Sequence, residues 1–408
     1  MIQIPESKYK NLEAVHLVNI RGYVIDTIRF FLNCCQIIAD PSLAARYKEG
    51  LHIYKHNNTL FAHIQVISNR FYRPLKKSSS GAHPAVSTIP EVFSNKLIKT
   101  EFVQNCSRYQ SMLLDMLEPS SEIYCEKLLN SKPDRLIDIY RYITKTYTHL
   151  KTTNGKEVFA PDHIRKGLLY EILCRIFNYD QFRDTGIKTP TSSNKWSAYD
   201  LCNQLNINVC PYCNRMYTFT IYTGSAGKAL TRPELDHYFP RSKYPLFALS
   251  FYNLIPSCKV CNSTFKRDEY LNIDDFLHPY LDGAHAQYKF DYTPVDMDAF
   301  DGDKGKVNVI INRNHMQHVK TDKSLKKFAI EDIYKMHNDV IADLIYKRKM
   351  YPDVTIKQIA SVLHGAGLSS LTSEDIFNSI FNVPKTVEII DTSLGKLRSD
   401  VTDQLKWL

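Results

Sequence analysis

The chain has 408 residues, of which 44% are hydrophobic and 23% charged, and this composition is typical of a folded, soluble protein. No run of about 18 apolar residues lacks a charge, so the sequence predicts no membrane span. The N-terminus lacks the apolar core and cleavage site of a signal peptide, so we expect a cytoplasmic protein with reduced cysteines. The net charge of +9 weakly favours a polyanionic partner.

At roughly 100–200 residues per domain, the length predicts two or three domains. Residues 1–190 have apolar positions at helical spacing and predict a helical domain of unknown role. The stretch at 76–91, rich in Ser, Pro and small residues, predicts a loop or linker, and the stretch DTGIKTPTSSNKW at 184–196 predicts a domain boundary. The predicted helices of this domain lie at about 10–38, 42–72, 91–118, 120–148 and 162–180, with starts at Pro133 and Pro161.

The remaining chain predicts a module at 197–285 and a C-terminal region at 286–408. In the latter, KVNVIINR at 306–313 alternates as a strand and is paired with 288–292 in our prediction. Residues 322–349 predict one long helix, or two with a break, and a Gly-containing turn follows near 365–368. The predicted fold class is α+β, mostly α, with a helical N-terminal region, a small central ββα module, and a C-terminal β-hairpin with helices.

The ten cysteines fall into two groups. Cys210 and Cys213 form one C-x-x-C pair, and Cys258 and Cys261 form another, with 44 residues between the two pairs. Two such pairs supply the four thiolates that close a tetrahedral structural Zn²⁺ site with no open position. The other six are predicted to be buried thiols: Cys34, Cys35, Cys106, Cys125, Cys174 and Cys202.

Between the two pairs lies Asp236-His237, and Asn253 and Asn262 follow, the latter directly after the last cysteine. Neighbouring residues on a strand point to opposite faces, so Asp236 and His237 reach one site only at a strand end. An Asp-His dipeptide alone is weak evidence, and its common interpretation is a surface Asp beside a partly buried His. The four residues together favour a site.

The order C-x-x-C, Asp-His, Asn, C-x-x-C-Asn and then Lys resembles the HNH, or ββα-metal, endonuclease family over about residues 205–270. The resemblance implies a strand ending at Asp236-His237, a second strand near Leu254–Ser257 and a helix beginning near Cys258. It also implies that His237 is the general base and that Asn253 fixes the loop that orients it. Asp236 and Asn262 would hold one divalent cation, although the third position of the motif is often His where this chain has Asn262.

This chemistry suits phosphodiester hydrolysis. A cation such as Mg²⁺ or Mn²⁺ neutralises the phosphate, and a histidine titrating near neutrality takes a proton from water. Residues 232–267 contain six Lys or Arg and two acids, a balance that favours phosphate contacts. We expect Arg241 and Lys243 to make them, with Lys266 and Arg215 as further candidates; a solvated basic loop is the alternative.

More loosely, residues 275–350 resemble HNH effectors of bacterial anti-phage defence, the Septu and retron-associated type. That resemblance implies a nuclease gated by a partner, commonly an ATPase. The sequence therefore predicts a metal-dependent endonuclease with DNA favoured over RNA, and a homodimer would supply the two sites that a double-strand cut needs. Two alternatives stay open: a non-catalytic zinc-knuckle module that binds nucleic acid, and an interaction or regulatory protein in which the zinc module is scaffold.

Overall fold

The structure is a computed structural model, and it describes residues 1–39, 108–148, 150, 168–189, 194–223, 228–284, 286–313, 318–368 and 370–406. These residues form mostly helices together with four two-stranded sheets, so the predicted α+β, mostly α class is confirmed. The predicted helix at 42–72, the loop at 76–91, the helix start at Pro161 and Cys106 lie outside the described residues.

Two compact units make up the chain, and both are discontinuous in sequence. Unit 1 contains Met1–Tyr9, Leu205–Asp236 and Ile255–Leu408, and unit 2 contains Lys10–Gln204 and His237–Leu254. This division differs from the predicted boundaries near residues 190–197 and 285–286. One cause is visible at the N-terminus, where Ile2 donates to the carbonyl of Pro211 at 2.8 Å and Ile4 to that of Pro279 at 2.8 Å.

Unit 2 is organised around the long helix α2, Leu12–Ala39. This helix buries Ile20, Val24, Ile28 and Phe31, whose spacing of three and four residues is that of one helix face. Residues 108–115 are also helical. The other elements of unit 2 are α3 (Cys125–Asn130), α4 (Pro133–Thr146), α5 (Leu168–Ile176), α6 (Tyr179–Asp184), β1 (Ile187–Lys188) paired with β2 (Lys195–Trp196), and α7 (Ala198–Leu205), which ends at the unit boundary.

The predicted helix start at Pro133 is confirmed, because α4 begins at that residue. Proline fits the first helical position, where its missing N–H has no intrahelical acceptor and its φ is already helical. The helix buries Leu136, Ile139, Tyr140 and Ile143.

Unit 1 begins with the short helix α1 (Glu6–Tyr9) and contains three sheets and the C-terminal helices. Its strands are β3 (Ile221–Thr223) with β4 (Lys228–Thr231), β5 (Glu234–His237) with β6 (Leu254–Ser257), and β7 (Tyr288–Pro294) with β8 (Val307–Arg313); the last residue of β5 and the first of β6 belong to unit 2. A π-helix, Val260–Lys266, follows β6. The helices are α8 (Val319–Lys327), α9 (Ile330–Tyr334), α10 (Asn338–Met350), α11 (Asp353–Gly365), α12 (Ser373–Phe381) and α13 (Gly395–Leu405).

The predicted hairpin near 288–313 is confirmed, with an antiparallel register from Tyr288 opposite Arg313 to Pro294 opposite Val307. Helix α13 packs against β7: the carboxylate of Asp400 accepts from the Phe290 N–H at 2.9 Å. Residues 322–349 form helices interrupted more than once. Ala329 lies between α8 and α9 with φ +48°, a left-handed conformation that ends α8.

The burial of the cysteines outside the two C-x-x-C pairs, the end of helix α11 and the length of the helices bear on further predictions from the sequence. Cys34, Cys35, Cys125 and Cys202 are buried and Cys174 is half-buried. Helix α11 ends at Gly365, as the turn near 365–368 predicted. Among the helices that the structure describes, none is long and apolar enough to cross a bilayer.

Candidate functional site

The two C-x-x-C pairs converge in unit 1. The sulfurs of Cys210, Cys213, Cys258 and Cys261 all lie within 4.8 Å of one another, and the four residues are buried. Sγ of Cys213 is 3.9 Å from Sγ of Cys258. Tetrahedral coordination at a Zn–S distance of about 2.3 Å puts sulfurs about 3.8 Å apart, so the cluster has the dimensions to hold a metal ion such as zinc. Burial, reinforced by the hydrogen bond with Cys213, raises the pKa of the Cys210 thiol well above its usual range, and a bound cation would offset this.

Asn214, directly after the first pair, shapes the knuckle and ties it to the C-terminal region. Its φ of +51° is left-handed, a conformation that Asn tolerates better than most residues, and its N–H donates to the Cys210 carbonyl at 2.7 Å. Its buried amide donates to the carbonyl of Ile389 at 2.7 Å and accepts from the N–H of Lys396 at 2.9 Å. This role was not predicted from the sequence, although an Asn after C-x-x-C is a turn signal.

Asp236 is buried in unit 1 with both carboxylate oxygens engaged. Tyr212, inside the first knuckle, donates its hydroxyl to one oxygen at 2.5 Å, and the ammonium of Lys266 lies 2.9 Å from the other. The Asp236 and Lys266 side chains are each 1% exposed. The expectation that Lys266 contacts nucleic acid does not agree with this placement, because a side chain so buried presents no donor to a polyanion.

Lys266 ends a π-helix, Val260–Lys266, which lies where the resemblance implies a helix beginning near Cys258. The N–H of Arg267 donates to the carbonyl of Asn262, five residues back, at 2.7 Å. Arg267 has φ +55° and ψ −137°, a conformation favoured by glycine that costs other residues of order 1–3 kcal/mol. Both π-helices and strained residues are enriched at functional sites.

Asn262 is half-buried on the same π-helix and contacts Glu234 rather than Asp236. Its Nδ2 donates to a carboxylate oxygen of Glu234 at 2.9 Å, and the Ser263 hydroxyl donates to the same oxygen at 2.8 Å. Glu234 and Asp236 alternate along β5 and therefore share a face. Glu234 was not predicted as a site residue; its two-residue spacing from Asp236 on a strand is the signal that could have found it.

These oxygen donors suit a hard divalent cation chemically, since carboxylate and amide oxygens are the ligands that Mg²⁺ and Mn²⁺ take. In this structure the ammonium of Lys266 supplies the positive charge beside the carboxylate of Asp236. Within the described part of the chain, no second group of three His, Cys, Asp or Glu side chains is close enough together to hold a metal.

His237, the last residue of β5, belongs to unit 2 and is half-buried. Its Nε2 is 3.0 Å from the carbonyl oxygen of Ala248, and its ring meets the Tyr179 ring edge-on at a centroid distance of 4.3 Å. A carbonyl only accepts, so Nε2 carries the proton. In the neutral ring the basic lone pair is therefore on Nδ1.

Asn253 is fully buried and fastens both ends of the loop that follows His237. Its amide oxygen accepts from the N–H of Phe239 at 2.7 Å, and its Nδ2 donates to the carbonyls of Phe239 at 3.1 Å and Phe247 at 2.9 Å. Phe247 precedes Ala248, the hydrogen-bond partner of His237. The amide thus fixes the backbone that orients the histidine, which is the role the resemblance gives it.

A second histidine, not identified from the sequence, supports the same loop. His16 on α2 is fully buried; its Nε2 bonds the carbonyl of Leu249 at 2.9 Å and its Nδ1 accepts from the Trp196 indole at 3.0 Å. The rings of Phe182 and Phe251 lie 5.6 and 5.8 Å away. Leu249 is next to Ala248, so α2 holds the peptide adjoining the His237 contact.

Acid is expected to weaken this support. Burial lowers the pKa of His16 from its ordinary 6.5 to about 4, so below pH 6.5 the unfolded chain takes up a proton that the folded chain refuses. The contribution of neutral His16 to the free energy of unfolding is complete above the pKa of the unfolded chain. It is lost as the pH falls toward the lower pKa of the folded protein. Between about pH 7.5 and pH 5 we expect a loss of about 2 kcal/mol in the free energy of unfolding.

Urea unfolding of wild type and the His16→Gln variant at both pH values measures this effect, because glutamine does not titrate. The variant should lose about 2 kcal/mol less than wild type over the interval. An equal loss in the two proteins would show that His16 does not carry the dependence.

The residues predicted to contact phosphate differ in their exposure and in their partners. Arg241 is 42% exposed; it pairs with Asp180 at 3.0 Å and its guanidinium lies over the Tyr179 ring at 5.4 Å. Lys243 and Arg215 are half-buried. Tyr179 thus contacts both Arg241 and His237, which keeps one cation beside the histidine in unit 2.

Comparison with known proteins adds no further assignment: no family model, curated protein or solved structure matches this chain.

Proposed function

We propose that this chain is a metal-dependent endonuclease of the HNH type that hydrolyses phosphodiester bonds, with DNA favoured over RNA. The observation that carries the proposal is the setting of His237. This half-buried imidazole is oriented through Nε2 by the Ala248 carbonyl, and it directly follows Asp236 on β5.

His237 would act as the general base. With its proton on Nε2, the imidazole accepts a proton from water at Nδ1 while the water oxygen attacks phosphorus and the bond to the 3′ oxygen breaks; the departing 3′ oxygen takes a proton from solvent water. The products would carry a 5′ phosphate and a 3′ hydroxyl. Asn253 acts as a positioning residue, because its three hydrogen bonds fix the loop that carries the Ala248 carbonyl.

Two kinds of metal are part of the proposal. Zinc would occupy the Cys210, Cys213, Cys258 and Cys261 cluster as a structural ion, because four thiolates leave no open position. Asp236 and Asn262 would hold Mg²⁺ or Mn²⁺, with Glu234 beside them. Such a cation supplies charge neutralisation for the phosphate and for the departing oxygen.

Contacts with the polyanion would come mainly from Arg241 and Lys243, with Arg215 as a third candidate. Arg241 combines partial exposure with a position beside Tyr179 and His237. Phosphate contacts of this kind position a backbone without reading sequence, so they do not distinguish DNA from RNA.

A second candidate function, a non-catalytic zinc-knuckle module that binds nucleic acid, is favoured by one observation. The ammonium of Lys266 lies on the carboxylate that the nuclease proposal assigns to a cation, and the pair is almost fully buried. If that ion pair is permanent, Asp236 is structural. This alternative predicts binding of nucleic acid without cleavage.

The biological role that we propose is bacterial anti-phage defence, in the cytoplasm, with an ATPase partner that gates the nuclease. It rests on the looser resemblance of residues 275–350. The same proposal includes a homodimer, since cutting both strands of a duplex needs two such sites.

Cleavage of supercoiled plasmid and of total RNA, with Mg²⁺ or Mn²⁺, tests the nuclease. Wild type is expected to cut at least one of them, and His237→Ala to lower the rate by about 10²–10⁴-fold, the usual contribution of a general base. The matched control is His364→Ala, because His364 also bonds a backbone carbonyl through Nε2, that of Leu371 at 2.7 Å, on helix α11.

The control variant should cut at the wild-type rate. Cleavage that survives His237→Ala would remove His237 as the base. Wild-type protein that binds either substrate and cuts neither would favour the zinc-knuckle module.

A further inference from the structure

An exposed aromatic ribbon leads from the first cysteine pair toward β5 in unit 1. We define the ribbon as residues 216–223 and 228–231, the strands β3 and β4 with the segment that precedes β3. Its exposed apolar side chains include Met216, Tyr217, Phe219, Ile221 and Leu230. Tyr217 is 58% exposed and Phe219 46%. Such a concentration of exposed apolar surface usually marks an interaction site.

The backbone presents two of these rings in a fixed arrangement. Tyr217 and Phe219 alternate with Thr218, so their side chains leave the same face of the extended chain. Thr218 is buried; its hydroxyl donates to the carbonyl of Ile207 at 2.7 Å and its N–H to that of Asn208 at 2.9 Å. The Tyr217 and Phe219 rings lie 4.8 Å apart at an interplanar angle of 17°. They form a preorganised stacked pair whose outer faces can receive another flat ring.

Charge identifies the class of ligand. In the sequence, residues 214–233 contain three basic residues and no Asp or Glu, and the side chains of Arg215 and Arg232 are half-buried. A segment with basic residues and no acids attracts a polyanion without repelling it, which favours a polyanionic partner over an uncharged apolar one. Aromatic rings set among basic residues form the surface that binds single-stranded nucleic acid, since every unpaired base offers a face for stacking.

We propose that the aromatic ribbon stacks unpaired bases and directs the enzyme to nucleic acid with a single-stranded segment. The inference deepens the proposed nuclease function and rests on it for its meaning as substrate selection. Two residues, Arg232 and Pro233, connect β4 to β5, so a strand held on the ribbon is bound beside the strand that carries Glu234 and Asp236.

Binding is measured by fluorescence anisotropy with full-length protein carrying His237→Ala, so that cleavage does not interfere. The ligands are a labelled oligothymidylate and a blunt duplex of equal length. Adding Tyr217→Ser with Phe219→Ser is expected to weaken single-strand binding by about tenfold or more and to leave duplex binding within about twofold. The slope of affinity against salt concentration should not change, since no phosphate contact is removed.

The matched control is Tyr346→Ser with Tyr351→Ser on and just after α10, because Tyr346 is 47% exposed, close to the value for Phe219. This control should bind both ligands as the parent does. Tyr217→Trp with Phe219→Trp keeps the stacking surface and should retain single-strand affinity, which separates stacking from misfolding.

Unchanged single-strand affinity in the serine double variant, or an equal loss for both ligands, overturns the ribbon as a base-stacking surface. Unchanged affinity would redirect attention to a protein partner for the exposed rings. The proposed nuclease function can fail independently of the ribbon. If single-strand binding depends on the ribbon but the wild-type protein does not cleave, the base-stacking inference holds and the nuclease proposal is wrong. Cleavage by wild type with ribbon-independent binding does the reverse.

Discussion

Removal of the zinc that we propose for the four-cysteine cluster is expected to unfold unit 1 cooperatively. The cluster joins chain segments far apart in sequence, since Cys213 and Cys258 belong to different knuckles, and the first knuckle holds both ends of the unit. Ile2 bonds to Pro211 in that knuckle, and Asn214 bonds to the carbonyl of Ile389. Structural zinc contributes about 10–16 kcal/mol in small zinc modules, which is as large as the whole stability of a typical domain.

The measurement combines metal analysis of the purified protein with thermal unfolding followed by circular dichroism, before and after chelation. We expect about one zinc per chain in wild type. The Cys258→Ser variant should retain little metal and lose the unfolding transition of unit 1. The matched control is Cys202→Ser, because Cys202 is equally buried but lies in α7, outside the cluster.

The control should keep its metal and lose only the cost of one buried hydroxyl, about 1–3 kcal/mol. A Cys258→Ser protein that keeps both the metal and the wild-type melting temperature would contradict a structural metal site. Loss of metal without loss of stability would make the cluster a binding site of another kind.

Local patterns predicted the parts of this fold that local physics determines. The alternation of KVNVIINR identified β8, and Pro133 identified the first residue of α4. The paired C-x-x-C spacing indicated that four sulfurs converge, because a metal shell imposes that geometry whatever the intervening chain does.

Long-range contacts were not accessible in the same way. From the sequence, a lysine near a C-x-x-C pair is expected to be exposed and to contact phosphate. Lys266 is buried instead, because Asp236, thirty residues earlier, supplies its counter-charge. His16 lies 233 residues from the carbonyl it bonds, and no local pattern encodes that partner. The division into two discontinuous units has the same origin, since it depends on which distant segments pack together.

Removing one partner of the buried ion pair between Asp236 and Lys266 is the second change with a large expected effect on stability. Lys266→Met is expected to destabilise the protein by about 3–5 kcal/mol, because the carboxylate of Asp236 then stays buried without a counter-charge. In the double variant Asp236→Asn with Lys266→Met no charge remains. Most of the stability should then return, and a double-mutant cycle isolates the interaction.

A divalent cation discriminates between the two proposed functions through the same variant. If Asp236 is a cation ligand, Mg²⁺ or Mn²⁺ can replace the missing ammonium in Lys266→Met, and the rise in melting temperature on adding the cation should exceed that of wild type. The matched control is Lys396→Met, because Lys396 and Asp400 form another buried pair in unit 1, at 2.8 Å. That variant should be destabilised too, without rescue by the cation.

Rescue of Lys266→Met alone would mean that Lys266 and the cation compete for one carboxylate, so that the ammonium stands in for the cation until the metal binds. Asp236→Asn should then show no response to the cation, since it lacks the ligand. Equal responses in Lys266→Met and Lys396→Met would instead make the Asp236–Lys266 pair a purely structural element. In that case Asp236 would hold no metal, and the chain would bind nucleic acid through its knuckle and basic residues without the cation that hydrolysis by an HNH site requires.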